Sequence, residues 1–256
     1  LLHSGMSNND LVNLLRSGEQ EPVQVTFNNV RFKEDLAGKV AKSIEADSTE
    51  IINLLNDGEF VAKYGFNTTT FLTLFLPNTY EFWWNTSAEE FVTRMTDEYK
   101  KYWTDDRKRK ATALGLSQSE VSILASIVQK ETNKNDEKPT VAGVYLNRLN
   151  KGMLLQADPT LVYANRDFTA RRVLNKHKKI DSPYNTYMYK GLPPGPICLP
   201  SISSLDAVLN SKDHNYLFFC AKADNSGYHS FATTYSQHLK NAREFQRELN
   251  RRKVYR

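Results

Sequence analysis

Apolar positions along this chain recur with two periods. Val121, Ile123, Leu124, Ile127 and Val128 return at helical intervals, and Ser117 followed three residues later by Glu120 is a capping box, so the spacing predicts a helix over Ser117–Thr132. Counted at about 100° per residue from Leu124, positions 127, 128 and 131 share one stripe, with Ser119, Ser122, Ser126, Gln129 and Lys130 opposite. Glu131 therefore occupies a place where the pattern asks for leucine. Burial disfavours the charged form of a carboxylate, so its pKa rises toward the range where a general acid works near neutrality. Taken alone, such a glutamate is more often a snorkelling or salt-bridged residue than a catalyst, and this helix leaves both readings open.

The elements before it are short. Gly5–Leu15 reads as a capped helix ended by Gly18, Val23–Phe27 alternates like a strand, and Lys33–Ile44 is an amphipathic helix with Leu36, Val40 and Ala41 inward. Ser48–Leu55 adds another helix, and together these pieces suggest a compact binding module. Asp10-Leu11 and Asp35-Leu36 echo one another, but two instances make no repeat architecture. From Phe71 the chain is dense in β-formers and aromatics: Phe71–Phe75 reads as a strand and Leu76–Thr79 as a turn, followed by Tyr80, Phe82, Trp83 and Trp84. Core packing accounts for most of these rings, and an exposed minority would offer faces to sugars.

A long polar helix is predicted from Ser87 to about Ala113. After a polar loop over residues 133–138, Pro139 opens a helix through Asn150 with Val141, Val144 and Tyr145 inward. Arg148 shares their stripe and is expected to form a salt bridge with a neighbouring acid; were that acid Glu131, its pKa would fall instead of rise. Residues 155–163 mix polar groups into a buried-looking run, and residues 166–179 read as a basic, exposed excursion. Asp181–Tyr187 and Gly191–Ile197 make a stiff Pro- and Gly-rich loop that holds polar groups in place at low entropic cost. Strands at Tyr216–Cys220 and Ser230–Ala232 and a closing helix over Thr234–Arg252 complete an α+β fold.

Composition narrows this little. The 256 residues are 40% hydrophobic and 25% charged, ordinary for a globular protein, and 34 Lys and Arg against 29 Asp and Glu give a mild net +5. The basic runs at 107–110, 176–179 and 251–253 are short, and no helix-turn-helix, zinc or RNP signature accompanies them, so nucleic acid is not an expected partner. No apolar run is long enough to span a membrane, and the first residue, Leu1, reads as the middle of a longer protein. Cys198 and Cys220 lack metal-ligand spacing, so no metal is expected, and two separate thiols are favoured over a disulfide.

Several segments carry a resemblance: Leu76–Tyr80, Ala125–Thr132, Asn147-Arg148-Leu149, Gly152-Met153 with Leu155–Thr160, Ser182–Tyr187, Gly191–Ile197 and His229-Ser230-Phe231. In this order and spacing, from about Gly5 to Asn250, the chain resembles the YceG-like endolytic murein transglycosylases. Asn78, where many relatives carry Asp, and Leu199-Pro200-Ser201 depart from the pattern, away from the proposed acid. The resemblance implies a LysM-like subdomain over residues 1–65 and a catalytic domain over 66–256. It also implies a membrane anchor in a preceding segment, a place on the extracytoplasmic face of the cytoplasmic membrane, and peptidoglycan glycan strands as substrate. Cell-wall synthesis proteins would be further partners, and no cofactor is implied. The family's acid falls on Glu131.

A hydrolytic glycosidase shows two carboxylates about the scissile bond. Here no second acid stands out, since Asp136 and Glu137 fall in a loop and Asp158 in a turn before Pro159. A lytic transglycosylase needs only one, because the sugar's own C6 hydroxyl is the nucleophile. Gln156, Tyr184 and Asn185 are the expected sugar contacts. The rival readings are a non-catalytic peptidoglycan-binding or scaffold protein and a hydrolytic muramidase.

Overall fold

A computed structural model describes residues 4–18, 20–169 and 176–251. Among them, helices alternate with two small antiparallel sheets, an α+β arrangement. The order is α1 (Asn8–Ser17), β1 (Val23–Phe27), α2 (Lys33–Val40), α3 (Ser48–Asn56), α4 (Gly58–Ala62), a 3₁₀ turn (Phe71–Leu74), β2 (Asn78–Phe82), α5 (Ala88–Tyr102), α6 (Asp105–Ala113) and α7 (Gln118–Glu131). There follow α8 (Lys138–Asn150), α9 (Asp158–Asn165), a 3₁₀ turn (His177–Lys179), α10 (Ile202–Leu209), β3 (Phe218–Ala221), β4 (His229–Ala232) and α11 (Tyr235–Arg251).

Local chemistry sets most of the helix starts. Ser7, Asp47, Ser87 and Ser117 each accept from the backbone three residues on, where an acid reaches back to the cap, so α1, α3, α5 and α7 all begin with capping boxes. β1 pairs with β2, with Val25 opposite Tyr80 and the Thr26 and Thr79 hydroxyls 2.7 Å apart. This sheet joins strands on either side of residue 65, and one continuous core runs from Val25 to Leu209. α1 buries no residue and stands apart from it. No single described helix is long and apolar enough to cross a membrane; α6 and α7 pass that test only as a pair, bent by 76°.

Three expectations are corrected. Phe71–Phe75 is not a strand: Asn67 Oδ1 accepts from the amides of Thr69 and Thr70, both at 2.9 Å, and fixes the turn that leads into a 3₁₀ turn whose four residues are all buried. A short apolar run has no period to tell the two apart. The strand begins at Asn78, inside the expected turn. The long helix from Ser87 breaks at Trp103, because Thr104 caps a new helix with an acidic first turn at Asp105 and Asp106.

The serine side of α7 is the third correction. Ser122 and Ser126 are 2% and 0% exposed. Ser126 Oγ accepts from Ile197 N at 3.0 Å, while Gln129 Oε1 accepts from Ser201 N at 2.6 Å and from Ser204 Oγ at 3.0 Å. Polar side chains on this face thus serve the backbone of residues 197–204 instead of solvent, making α7 the central helix of the core. Cys198 and Cys220 are separate free thiols. Part of the basic stretch 166–179, and the end of the closing run 251–253, lie outside the described residues.

Candidate active site

Glu131 is the last residue of α7, where Thr132 turns extended and ends the helix. Its side chain is half-buried and faces a cleft of about 260 Å³ bounded by α7, α8, the start of α9, β3 and α11. The lining includes Tyr145, Arg148, Leu155, Gln156, Asp158, Tyr187, Phe218, Phe219, Tyr235 and His238. Tyr145, which is 2% exposed, donates its hydroxyl to Glu131 Oε1 at 2.5 Å. Oε2 has no hydrogen-bond partner among the described residues, which leaves that oxygen open to the cleft.

Burial lifts the Glu131 carboxyl from its ordinary 4.5 to about 7. The Tyr145 hydrogen bond and the Arg148 charge oppose that rise, and the charge of Asp158 adds to it. Desolvation wins because Tyr145 is one neutral donor and Arg148 is spent elsewhere. Arg148 Nε donates to Leu217 O at 2.6 Å, and Nη1 donates to Leu154 O at 3.2 Å, Leu155 O at 2.8 Å and Gln156 Oε1 at 3.4 Å, with the guanidinium 5.2 Å from the centre of the Phe218 ring. Among the described residues, no salt bridge forms between Arg148 and an acid, contrary to the expectation from sequence. The guanidinium instead ties α8 to the loop that follows it and to the residue before β3.

Of the expected sugar contacts, the fold brings Gln156 into the cleft with Glu131. Gln156 is exposed, sits at φ 52°, and donates its backbone N–H to Thr186 O at 3.0 Å. This left-handed conformation is uncommon for a residue other than glycine. Tyr184 and Asn185 do not line the cleft. Tyr184 lies 4.7 Å, ring to ring, from Tyr163, and a Cβ on Gly195 would come within 2.8 Å of its hydroxyl, so it packs under the proline-rich loop. Asn185 is fully buried: Nδ2 donates to Lys178 O at 3.0 Å and Ile180 O at 2.8 Å, and Oδ1 accepts from Tyr187 N at 3.0 Å. Its work is to shape the loop that presents Tyr187.

Two acids do more than the sequence reading assigned to them. Asp158 is exposed at the start of α9 and faces the same cleft as Glu131, with Tyr187 donating its hydroxyl to Oδ1 at 2.5 Å. The Pro159 that suggested a turn is a first-turn proline of the helix. Glu137 is 5% exposed, anchored by Thr132 and His229, and lies outside the cleft. Asp158 was within reach of sequence reasoning, since an acid before a helix-opening proline projects from a helix start; Glu137 was not, because its partner lies 92 positions away. His238 completes the far wall, its ring stacked on Phe218 at 5.5 Å and its pKa lowered by burial and then by Arg148. Among the described residues, no group of three or more His, Cys, Asp or Glu could hold a metal ion.

Comparison with known proteins places the chain among its relatives. The sequence model of the YceG-like family matches residues 1–244. An endolytic murein transglycosylase of Bacillus subtilis (strain 168) is 31% identical over 263 aligned positions, covering 93% of this chain and 70% of that protein. A protein of the same name from Streptococcus pneumoniae serotype 2 (strain D39) is 29% identical over 176 positions, covering 66% of this chain and 31% of its own length. The 2.6 Å crystal structure of a YceG-like protein from Listeria monocytogenes superposes with a TM-score of 0.73 at 28% identity, over 92% of this chain and 81% of that one.

Proposed function

The chain belongs to the YceG-like family, and from that membership and the cleft we propose that it is an endolytic lytic transglycosylase of peptidoglycan with Glu131 as its acid and base. The observation that carries the role of Glu131 is a half-buried carboxyl beside a cleft, lifted to about 7 and holding, among the described residues, only the Tyr145 bond. Protonated Oε2 delivers its proton to the oxygen of the MurNAc–GlcNAc bond as the C1–O bond breaks. Positive charge then develops on the muramic ring, and the Asp158 carboxylate across the cleft stabilises it. The Glu131 carboxylate next accepts the proton of the muramic C6 hydroxyl, whose oxygen closes on C1. The result is a 1,6-anhydro end, with the acid reprotonated and no water consumed. Gln156, beside both carboxylates, is the sugar contact of the three expected from sequence that this reading retains.

The chain acts at the extracytoplasmic face of the cytoplasmic membrane in this reading, where glycan strands and the wall synthases lie, held by an anchor in a preceding segment. In the same reading residues 1–65 are the LysM-like unit and residues 66–256 the catalytic domain. Asp158 also gives a hydrolytic muramidase its one foothold, as a base for water. Mass spectrometry of products from purified glycan strands separates the two, since anhydro ends are lighter by one water than reducing ends. We expect anhydro ends from the native chain and none from Glu131→Gln. Reducing ends, or near-normal turnover by the Gln variant, would overturn the proposal.

A further inference from the structure

Beyond Glu131, in the connection between α7 and α8, lies a second buried carboxylate that the chemistry above does not use. Glu137 Oε1 accepts the backbone N–H of His229 at 2.7 Å, and Oε2 accepts from Thr132 Oγ1 at 3.0 Å and lies 2.8 Å from His229 Nδ1. An ionised carboxylate only accepts, so His229 presents Nδ1–H to it. Both side chains are sheltered, 5% exposed for Glu137 and 15% for His229. Neither lines the cleft of Glu131; both face a separate, open polar depression.

What these contacts join is informative. Thr132 directly follows Glu131 and caps α7, its N–H donating to Val128 O at 3.3 Å. The His229 ring meets Phe219 edge-on at 5.2 Å, Phe219 meets Tyr145 edge-on at 5.9 Å, and Tyr145 returns to Glu131 through its hydroxyl. The contacts therefore close a circuit that passes through the acid. Within it, the Glu137–His229 link is the polar fastening between the end of α7 and the β3–β4 hairpin, which supplies one wall of the cleft through Phe218 and Phe219. Breaking it would leave sheltered polar groups unpaired, so the hairpin is held in one position.

We propose that Glu137 and His229 are positioning residues that hold the hairpin wall against the end of α7 and so keep the Tyr145 hydroxyl on Glu131. This rests on the reading of Glu131 as the acid. Misplacing a reacting group by an ångström costs up to roughly 100-fold in rate.

The test uses Glu137→Gln, which keeps an acceptor for the His229 amide but loses an oxygen acceptor, and His229→Asn, which keeps a side-chain N–H but deletes the ring against Phe219. Each is made in the native and Tyr145→Phe backgrounds, with anhydro-end production and the ¹³C titration of the Glu131 carboxyl as readouts. Each single change should lower kcat several-fold, no more than Tyr145→Phe itself does, with KM held within about twofold. Most of that loss should vanish in the Tyr145→Phe background, and the Glu131 titration should move upward as it does in Tyr145→Phe. Losses that multiply with that of Tyr145→Phe, or an unmoved Glu131 titration in folded variants, would overturn the proposal. If Glu137→Gln fails to fold by near-ultraviolet circular dichroism, His229→Asn decides alone. If the native chain makes no anhydro ends, the reading of the function fails, while the titration still decides whether the pair positions Tyr145.

Discussion

The end of α7 and the loop after it each shelter a glutamate, and the two surroundings are built differently. Glu137 receives hydrogen bonds from a hydroxyl, a backbone amide and an imidazole, and it fastens structure. Among the described residues Glu131 receives one, from Tyr145, and its carboxyl is pushed up to about 7 by burial. Shelter alone therefore does not make an acid. A carboxyl is prepared for proton transfer where burial removes water and the protein withholds the donors that would replace it, leaving an oxygen for the substrate. Arg148 sharpens the point: it sits beside Glu131 in the same cleft, yet its donors go to the carbonyls of Leu217, Leu154 and Leu155 and to the Gln156 side chain.

The sharpest break in the contrast is Glu131→Gln, which removes the transferable proton and keeps the shape. It should lower anhydro-end formation by roughly 1,000-fold or more in a product assay. Asp158→Asn should lower kcat/KM roughly tenfold. Because the Asp158 charge helps raise the Glu131 pKa, the alkaline limb of its pH–rate profile should also move to lower pH. Tyr145→Phe takes away the donor that holds the Glu131 pKa down, so its limb should move to higher pH, with kcat falling several-fold in the same profile.

The smallest effect is on stability. Glu131 titrates higher folded than unfolded, so the folded state binds more protons between about 4.5 and 7, and stability falls as pH rises through that window. Glu131→Gln should therefore stabilise the chain at pH 8 by roughly 1–3 kcal/mol and not at pH 4, read as the difference in denaturant midpoint between the two pH values.

Much of this was legible in the sequence because it is local. The Ser117–Glu120 capping box, the strand at Val23–Phe27 and the place of Glu131 on its stripe each depend on residues within a few positions of one another. The errors arose where distant chain decides. Ser126 and Gln129 look solvent-facing until residues 197–204 fold over them, and Asn185 looks available until the carbonyls of Lys178 and Ile180 occupy it. Phe71–Phe75 has strand composition, but Asn67 turns the backbone before a partner strand is reached. Asp158 was masked by the proline after it, and Glu137 by the sequence distance to His229.

The central claim is that Glu131 keeps its proton near neutrality in the folded protein. The direct measurement is a ¹³C titration of the carboxyl of Glu131 in the native chain, assigned by comparison with Glu131→Gln. It should give a pKa of about 7, matching the pH at which anhydro-end formation begins to fall. A carboxyl that titrates near its ordinary 4.5 while the enzyme stays active would contradict the account.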